Sequence, residues 1–232
     1  MARDKPSWPE PSDDGGHTQP NRVVDAAAHH GSVASVGPDI DTRAVGSGDL
    51  ADLARLFESE RSTRHCWCMA FCVTRSQFAA GWFGGGNRHR FEAMAAVSAR
   101  PMGILAFVAG EPVGWCACGP RSRYAVATSR RSKIVGGRAR AEDESVWLLP
   151  CLFVRAGHRG QGITYALVRA AVELARREGA SAIEGWPVAQ SDRQSADAFL
   201  GREKVFDELG FRCVERPSPQ RAIMRLDLRD LG

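Results

Sequence analysis

A glycine-bearing loop between an apolar run and an amphipathic segment constrains this chain more than any other feature. Val146 to Val154 is almost continuously apolar, which predicts a strand buried on both faces. Ile163 to Arg177 carries Leu167, Ala170, Ala171 and Leu174 on one face, with Gly179 just beyond, which predicts a helix. Between them runs Gly157-His-Arg-Gly-Gln-Gly162. Bare glycines let a ligand approach the backbone closely. The first turn of a helix presents unpaired N–H groups and the positive end of a dipole. Together these predict a pyrophosphate site. Its donors would be the amides of Gly160, Gln161, Gly162, Ile163 and Thr164, with Arg159 adding a cation.

Three kinds of protein place such a loop there. The nucleotide-hydrolase type needs Gly-Lys-Ser/Thr at its end, and Ile163-Thr164 follows Gly162 instead. A dinucleotide-binding loop needs a third glycine where Tyr165 stands, although Glu184 sits about where a ribose-binding acid would lie. That reading also needs repeating strand–helix units. The order around this loop is different. Gly103 to Val108 and Val113 to Cys118 flank Gly110-Glu111 as a hairpin before it. Ser181 to Trp186, a short helix over Glu203 to Leu209 ended by Gly210, and strands over Phe211 to Glu215 and Ala222 to Leu228 come after it. The third kind is the acyl-CoA loop.

Upstream, Ile40 to Val45 reads as a strand, and Gly48-Asp49 leads a helix through Leu50, Leu53, Leu56 and Phe57. Helical stretches are expected over 75–83 and 88–100, with Gly84-Gly85-Gly86 between them. Residues 119–145 form a long polar connection holding seven basic residues, read as a solvated loop or as a surface for an acidic partner or the coenzyme phosphates. Residues 1–38, rich in Pro, Gly, Asp, Ser and His, read as a disordered tail, and 39–232 as one domain.

The 44% hydrophobic content can build a core, and a net charge of +4 gives no reason to expect nucleic acid. No apolar run approaches the roughly 20 residues that span a bilayer, and no secretory h-region opens the chain. The seven cysteines therefore read as reduced thiols in a cytoplasmic protein. Cys66, Cys68, Cys72, Cys116 and Cys118 raise a zinc reading. Their one-residue spacing and the interleaved Trp67, Met69 and Phe71 favour core, so no metal is expected.

Arg159-Gly-Gln-Gly-Ile-Thr164 resembles the fingerprint Gln/Arg-x-x-Gly-x-Gly/Ala of the GNAT superfamily, with Thr164 in place of the final small residue. The order of elements from about 40 to 228 resembles that family too, as does Glu208-Leu-Gly-Phe211 before the penultimate strand. Cys66-Trp-Cys-Met69, Val113-Gly-Trp115 and Glu184-Gly-Trp-Pro-Val188 look like a bacterial subgroup of it.

The resemblance implies an α/β fold of the α+β kind. Its sheet is mixed, mostly antiparallel, splayed at the central strands and flanked by helices. It also implies an N-acetyltransferase that moves acetyl from acetyl-CoA to an amine by direct attack. The partners implied are acetyl-CoA, an amine on a small molecule or a protein lysine, and a second copy of the chain should it dimerise, with no membrane or nucleic acid. Pantetheine would fill the splay like an added strand. Pro150, mid-strand, would mark the bulge that opens it. The backbone of Leu152, Phe153 and Val154 would face pantetheine, with Leu152 N–H polarising the thioester carbonyl.

Two usual groups are absent. The fingerprint strand holds no glutamate, and Phe206 stands where a tyrosine acid often does. The substitute bases are Glu144 and Glu184, with Glu184 also readable as a structural partner of an arginine. Cys151 reads as an inert buried thiol rather than a nucleophile, and His158 as a loop group near phosphate. The alternative is a catalytically weak acyl-CoA-binding or sensor module.

Overall fold

The computed structural model describes residues 38–129, 132, 140–189 and 199–229. The expected tail, Pro38 apart, lies outside the described residues. Among them, seven strands form one sheet in the order β1-β2-β3-β4-β5-β7-β6. The strands are β1 (Asp41–Ala44), β2 (Gly103–Val108), β3 (Glu111–Pro120), β4 (Val146–Val154), β5 (Ala182–Gly185), β6 (Arg212–Ser218) and β7 (Arg221–Asp227). The helices are α1 (Leu50–Glu58), α2 (Arg75–Ala80), α3 (Gly86–Val97), α4 (Ile163–Arg177) and α5 (Glu203–Glu208).

Neighbouring strands run antiparallel except β4 and β5, which are parallel. The mixed, mostly antiparallel sheet is the one expected. β4 and α4 have the predicted bounds, because a two-sided apolar run and an amphipathic period with a glycine stop are strong local signals. At Gly179 (φ 77) the chain turns left-handed and leaves the helix. The β2–β3 turn uses Ala109 (φ 50) and Gly110 (φ 80), the double-positive geometry that suits the twist of a hairpin.

Other boundaries moved. α3 starts at Gly86 and ends at Val97, where Ser98 turns extended and its Oγ accepts from Arg100 N–H. α2 stops at Ala80. β6 extends to Ser218 through Pro217, which an edge strand accommodates. β3 extends to Pro120, shortening the connection, and the connection is not simply solvated. Arg121 is wholly buried. Arg123 donates to the carbonyls of Pro101 and Cys118, both at 2.9 Å. Arg130, Arg131, Lys133 and Arg138 lie outside the described residues.

The sheet divides the core. On one face α4 packs Ile163, Leu167, Val168 and Ala171 against Val113, Trp147, Leu149 and Leu152. On the other, α1 and α3 supply Leu53, Phe57 and Phe91 to a cluster with Trp115, Cys151 and Phe153. Phe57 meets Trp67 and Trp115 edge-to-face at 5.2 and 6.0 Å.

Gly114 of β3 sets how closely α4 lies on the sheet. A Cβ there would stand 2.8 Å from Ile163 Cγ2 and 3.1 Å from Leu167 Cδ1. Gly114→Val should therefore cost about 1–3 kcal/mol by overpacking. Urea unfolding checks this, and an unchanged midpoint would mean that α4 rides higher on the sheet.

Candidate active site

β4 pairs with β5 only from Val146↔Ala182 to Leu149↔Gly185, and from Pro150 onward that edge of β4 has no β5 partner. Its pairing with β3 shifts at the same place. Ala117 faces Cys151 and Gly119 faces Leu148, so two steps on β3 match three on β4. The extra residue is a bulge at Leu149–Pro150. Side-chain facing records it independently. Leu149 and Leu152 share the α4 face although three residues apart, while Leu148, Cys151 and Phe153 take the other. Pro150 has no N–H to give a ladder, so it weakens the sheet where the strands diverge.

The backbone beyond the bulge points into the opening. Arg155 N–H donates to Val113 O of β3 at 2.9 Å. By strand alternation, Val154 and Leu152 turn their N–H and C=O away from β3, toward the split. Val154 O accepts from Arg159 Nε at 3.2 Å instead of from a strand.

The chain then enters the glycine loop. Gly160 (φ 78) and Gly162 (φ 83) are left-handed, and Gly162 is the residue before α4. A Cβ added at Gly157, Gly160 or Gly162 would meet nothing within 4 Å. The space over the loop is open, so these glycines make a cradle and do not serve internal packing. The free amides of the first turn of the 15-residue α4 face that space, with Arg159 beside it. The residues thus fit a bound pyrophosphate.

The two carboxylates read as bases do not fit that role. Glu144 precedes β4 at its paired end, is 76% exposed, and lies 3.9 Å from Arg100 Nη1. Glu184 is wholly buried, with Arg225 Nη1 at 3.1 Å and Arg121 Nη1 at 3.6 Å. Arg121 also reaches Asp143 at 3.3 Å and Glu142 at 3.5 Å. Two guanidiniums, those of Arg225 and Arg121, hold the Glu184 carboxylate from either side. Its role is to bind the 119–145 connection to β5 and β7. Of the readings raised for it, the structural partner is the one the geometry fits. Glu142 and Asp143 stand some twenty residues after Arg121, and only the fold brings them to it.

Cys68, Cys116, Cys118 and Cys151 are buried in the core, Cys66 and Cys72 are half-buried, and Cys213 is exposed. Burial pushes the thiols of Cys66 and Cys72 up to about 12. A hydrogen bond with Cys68, then burial, raises Cys151 well above the ordinary range. Cys68 Sγ accepts from Trp115 Nε1 at 3.3 Å. Among the described residues no group of three His, Cys, Asp or Glu could hold a metal ion. No described helix is long and apolar enough to cross a membrane.

Phe206 is wholly buried on the α4 face, and its ring fills the space a side chain would need at Gly185 and Gly201. It therefore sits where β5 leaves β4. Trp186, the next residue of β5's path, lies on the opposite face with Leu148, Tyr124, Val188 and Ile223, its ring 6.0 Å from that of Phe71. Its Nε1 is buried and has no hydrogen-bond partner among the described residues. The sequence quoted Trp186 only within a motif, because a missing partner is a three-dimensional fact. A concavity of about 450 Å³ beside β1, lined by Arg43, Asp52 and Phe107 among others, lies three strands from β4 and away from this geometry.

The sequence model of the Acetyltransferase (GNAT) family matches residues 50–203. No curated protein matches the chain. Among solved structures, YncA of Salmonella typhimurium, with acetyl-CoA as its cofactor, is similar at 15% identity and TM-score 0.49, over 82% of this chain and 95% of that one. The ribosomal-protein-alanine N-acetyltransferase of Brucella melitensis is similar at 16% identity and TM-score 0.48, over 81% and 99%. The PaiA N-acetyltransferase of Thermoplasma acidophilum, in complex with coenzyme A, is similar at 12% identity and TM-score 0.46, over 82% and 99%. These are distant likenesses, and the family assignment rests on the matched residues.

Proposed function

The chain belongs to the GNAT acetyltransferase family, and from that premise we propose that it transfers the acetyl group of acetyl-CoA to a primary amine. The observation that carries this reading is the split of β4 from β5 at a bulge, continuous with the open glycine cradle at the start of α4.

In this reading the amides of Gly160, Gln161, Gly162, Ile163 and Thr164 hold the pyrophosphate, with Arg159 adding charge. The outward backbone edge of Leu152, Phe153 and Val154 takes pantetheine as an added strand. Bound acetyl-CoA supplies an acetyl thioester, and Leu152 N–H polarises its carbonyl. The acceptor meets it from the Trp186 face, on which Leu148 and Phe71 present apolar surface.

Phe206 offers no proton. An ordinary thiol titrates near ~8.5, so a CoA thiolate can leave without a donor. Deprotonating the amine is the harder requirement, and turnover should climb with pH as the acceptor amine loses its proton. Phe206→Tyr should raise turnover less than tenfold, about 1.4 kcal/mol of barrier. A larger gain, or a profile flat across the amine's pKa, would place proton delivery at the sulfur in control.

CoA release with a panel of amines tests the proposal, and release above background on any of them supports it. The exposure of Glu144 and the hold of Arg121 and Arg225 on Glu184 favour one other reading, a catalytically weak acyl-CoA-binding module. That module would bind acetyl-CoA and release CoA with no amine in the panel.

A further inference from the structure

Trp186 is the first residue past the last β4–β5 rung, Leu149↔Gly185. It occupies the face of the sheet opposite α4, among Leu148, Tyr124, Val188, Leu200 and Ile223. Its indole is wholly buried, and among the described residues Nε1 has no hydrogen-bond partner. A buried N–H without a partner is rare, because it gives up its bond to water and gains nothing. Two other buried indole donors nearby are satisfied. Trp67 Nε1 donates to Arg64 O at 3.1 Å, and Trp115 Nε1 to Cys68 Sγ at 3.3 Å. The Trp186 donor stands where the sheet opens.

The surroundings restrict what can meet this donor. Phe71 and Cys72, both half-buried, pack against the Trp186 cluster and against the one containing Cys151 and Phe153. Phe199 stacks at 6.1 Å on Phe153. A ligand entering here would therefore meet apolar and aromatic surface and the Trp186 donor, with the Tyr124 hydroxyl buried in the same cluster. That combination selects a molecule with an apolar body and a hydrogen-bond-accepting oxygen.

Resting on the proposed acetyl transfer, we infer that Trp186 Nε1 binds the acceptor by donating to a carbonyl oxygen close to its amine, and that the acceptor is the α-amine of an apolar amino-acid amide or peptide N-terminus. An α-amine suits the site in a second way. It titrates near ~7.7–8.0, against ~10.4 for a lysine side chain, so roughly a tenth of it is neutral near pH 7, against less than about a thousandth of a lysine amine. An apolar wall favours the neutral form further.

The test compares phenylalaninamide with phenethylamine, which keeps the ring and the amine and lacks the carbonyl. Rates are expressed per neutral amine. Wild type should prefer phenylalaninamide by about tenfold in kcat/KM, the weight of one well-placed hydrogen bond in a dry site. Trp186→Phe keeps the ring and removes the donor. It should reduce that preference to about onefold, chiefly through KM for phenylalaninamide, and leave KM for acetyl-CoA unchanged. Its melting temperature should not fall, since the lost donor had no partner.

Equal use of the two amines by wild type would overturn the inference without any variant. So would turnover of neither, or a rise in KM for acetyl-CoA in Trp186→Phe, which would give the donor to the coenzyme instead. Acetyl-CoA failing to raise the melting temperature of wild type would remove the acetyl-transfer reading itself, a result distinct from all of these.

Discussion

Glu184→Ala should lower folding stability by about 3–5 kcal/mol, the usual penalty for breaking a buried ion pair from one side. Glu184 is wholly buried and so is Arg121, and Arg225 is 20% exposed at its side chain. Removing the carboxylate leaves two guanidiniums crowded together in a place with little water. Glu142 and Asp143 hold the outer side of Arg121 and soften the loss without replacing the inner partner. For a domain of this size the shift in melting temperature should be roughly 10–15 °C. Glu184→Gln keeps the shape and one acceptor oxygen, and should cost less. A loss below about 1 kcal/mol for the alanine variant would mean that Arg121 finds another partner or water. Conversely, a Glu184 variant that folds normally but loses turnover would restore the carboxylate to the chemistry.

The expectation for Glu184 also shows which parts of this molecule a sequence discloses. β4, the glycine loop and α4 were legible because each is specified locally. A two-faced apolar run, glycines in a row and a 3.6-residue period all lie within thirty or so consecutive residues. Pro150 marked the bulge, because proline cannot serve a ladder wherever the strand lies. Phe206 was placed at the right end of the right helix by its distance from Gly210-Phe211. Glu184 was readable as acid or as structural partner, and only the fold brings Arg121 and Arg225, 63 residues before and 41 after it, to its two oxygens. The same limit hid Trp186, whose significance is a partner that the fold does not supply. It also hid the closeness of Gly114 to α4, which depends on a helix some fifty residues away.

Gly162→Asp should abolish measurable acetyl-CoA binding while the protein stays folded. Gly162 has φ 83, and the added side chain would meet nothing within 4 Å. The backbone cost is that of a non-glycine residue in the left-handed region, about 1 kcal/mol, and aspartate tolerates it better than most. The electrostatic effect is larger. A carboxylate placed at the start of α4 would itself occupy the positive dipole end and repel an incoming phosphate. We expect affinity to fall by at least about 100-fold, below what the titration detects. Gly162→Ala, with the same backbone strain and no charge, should fall far less. Equal losses in the two variants would assign the effect to loop geometry rather than to anion binding.

The most direct test of the central claim is calorimetric titration of the full chain with acetyl-CoA, alongside Gly162→Asp. Single-site binding by wild type, absent in the variant and accompanied by a higher wild-type melting temperature, is the predicted result. A well-folded wild type that takes up no acetyl-CoA, or a Gly162→Asp variant that binds it as tightly as wild type, would contradict the assignment of the glycine cradle and the β4–β5 split to the coenzyme.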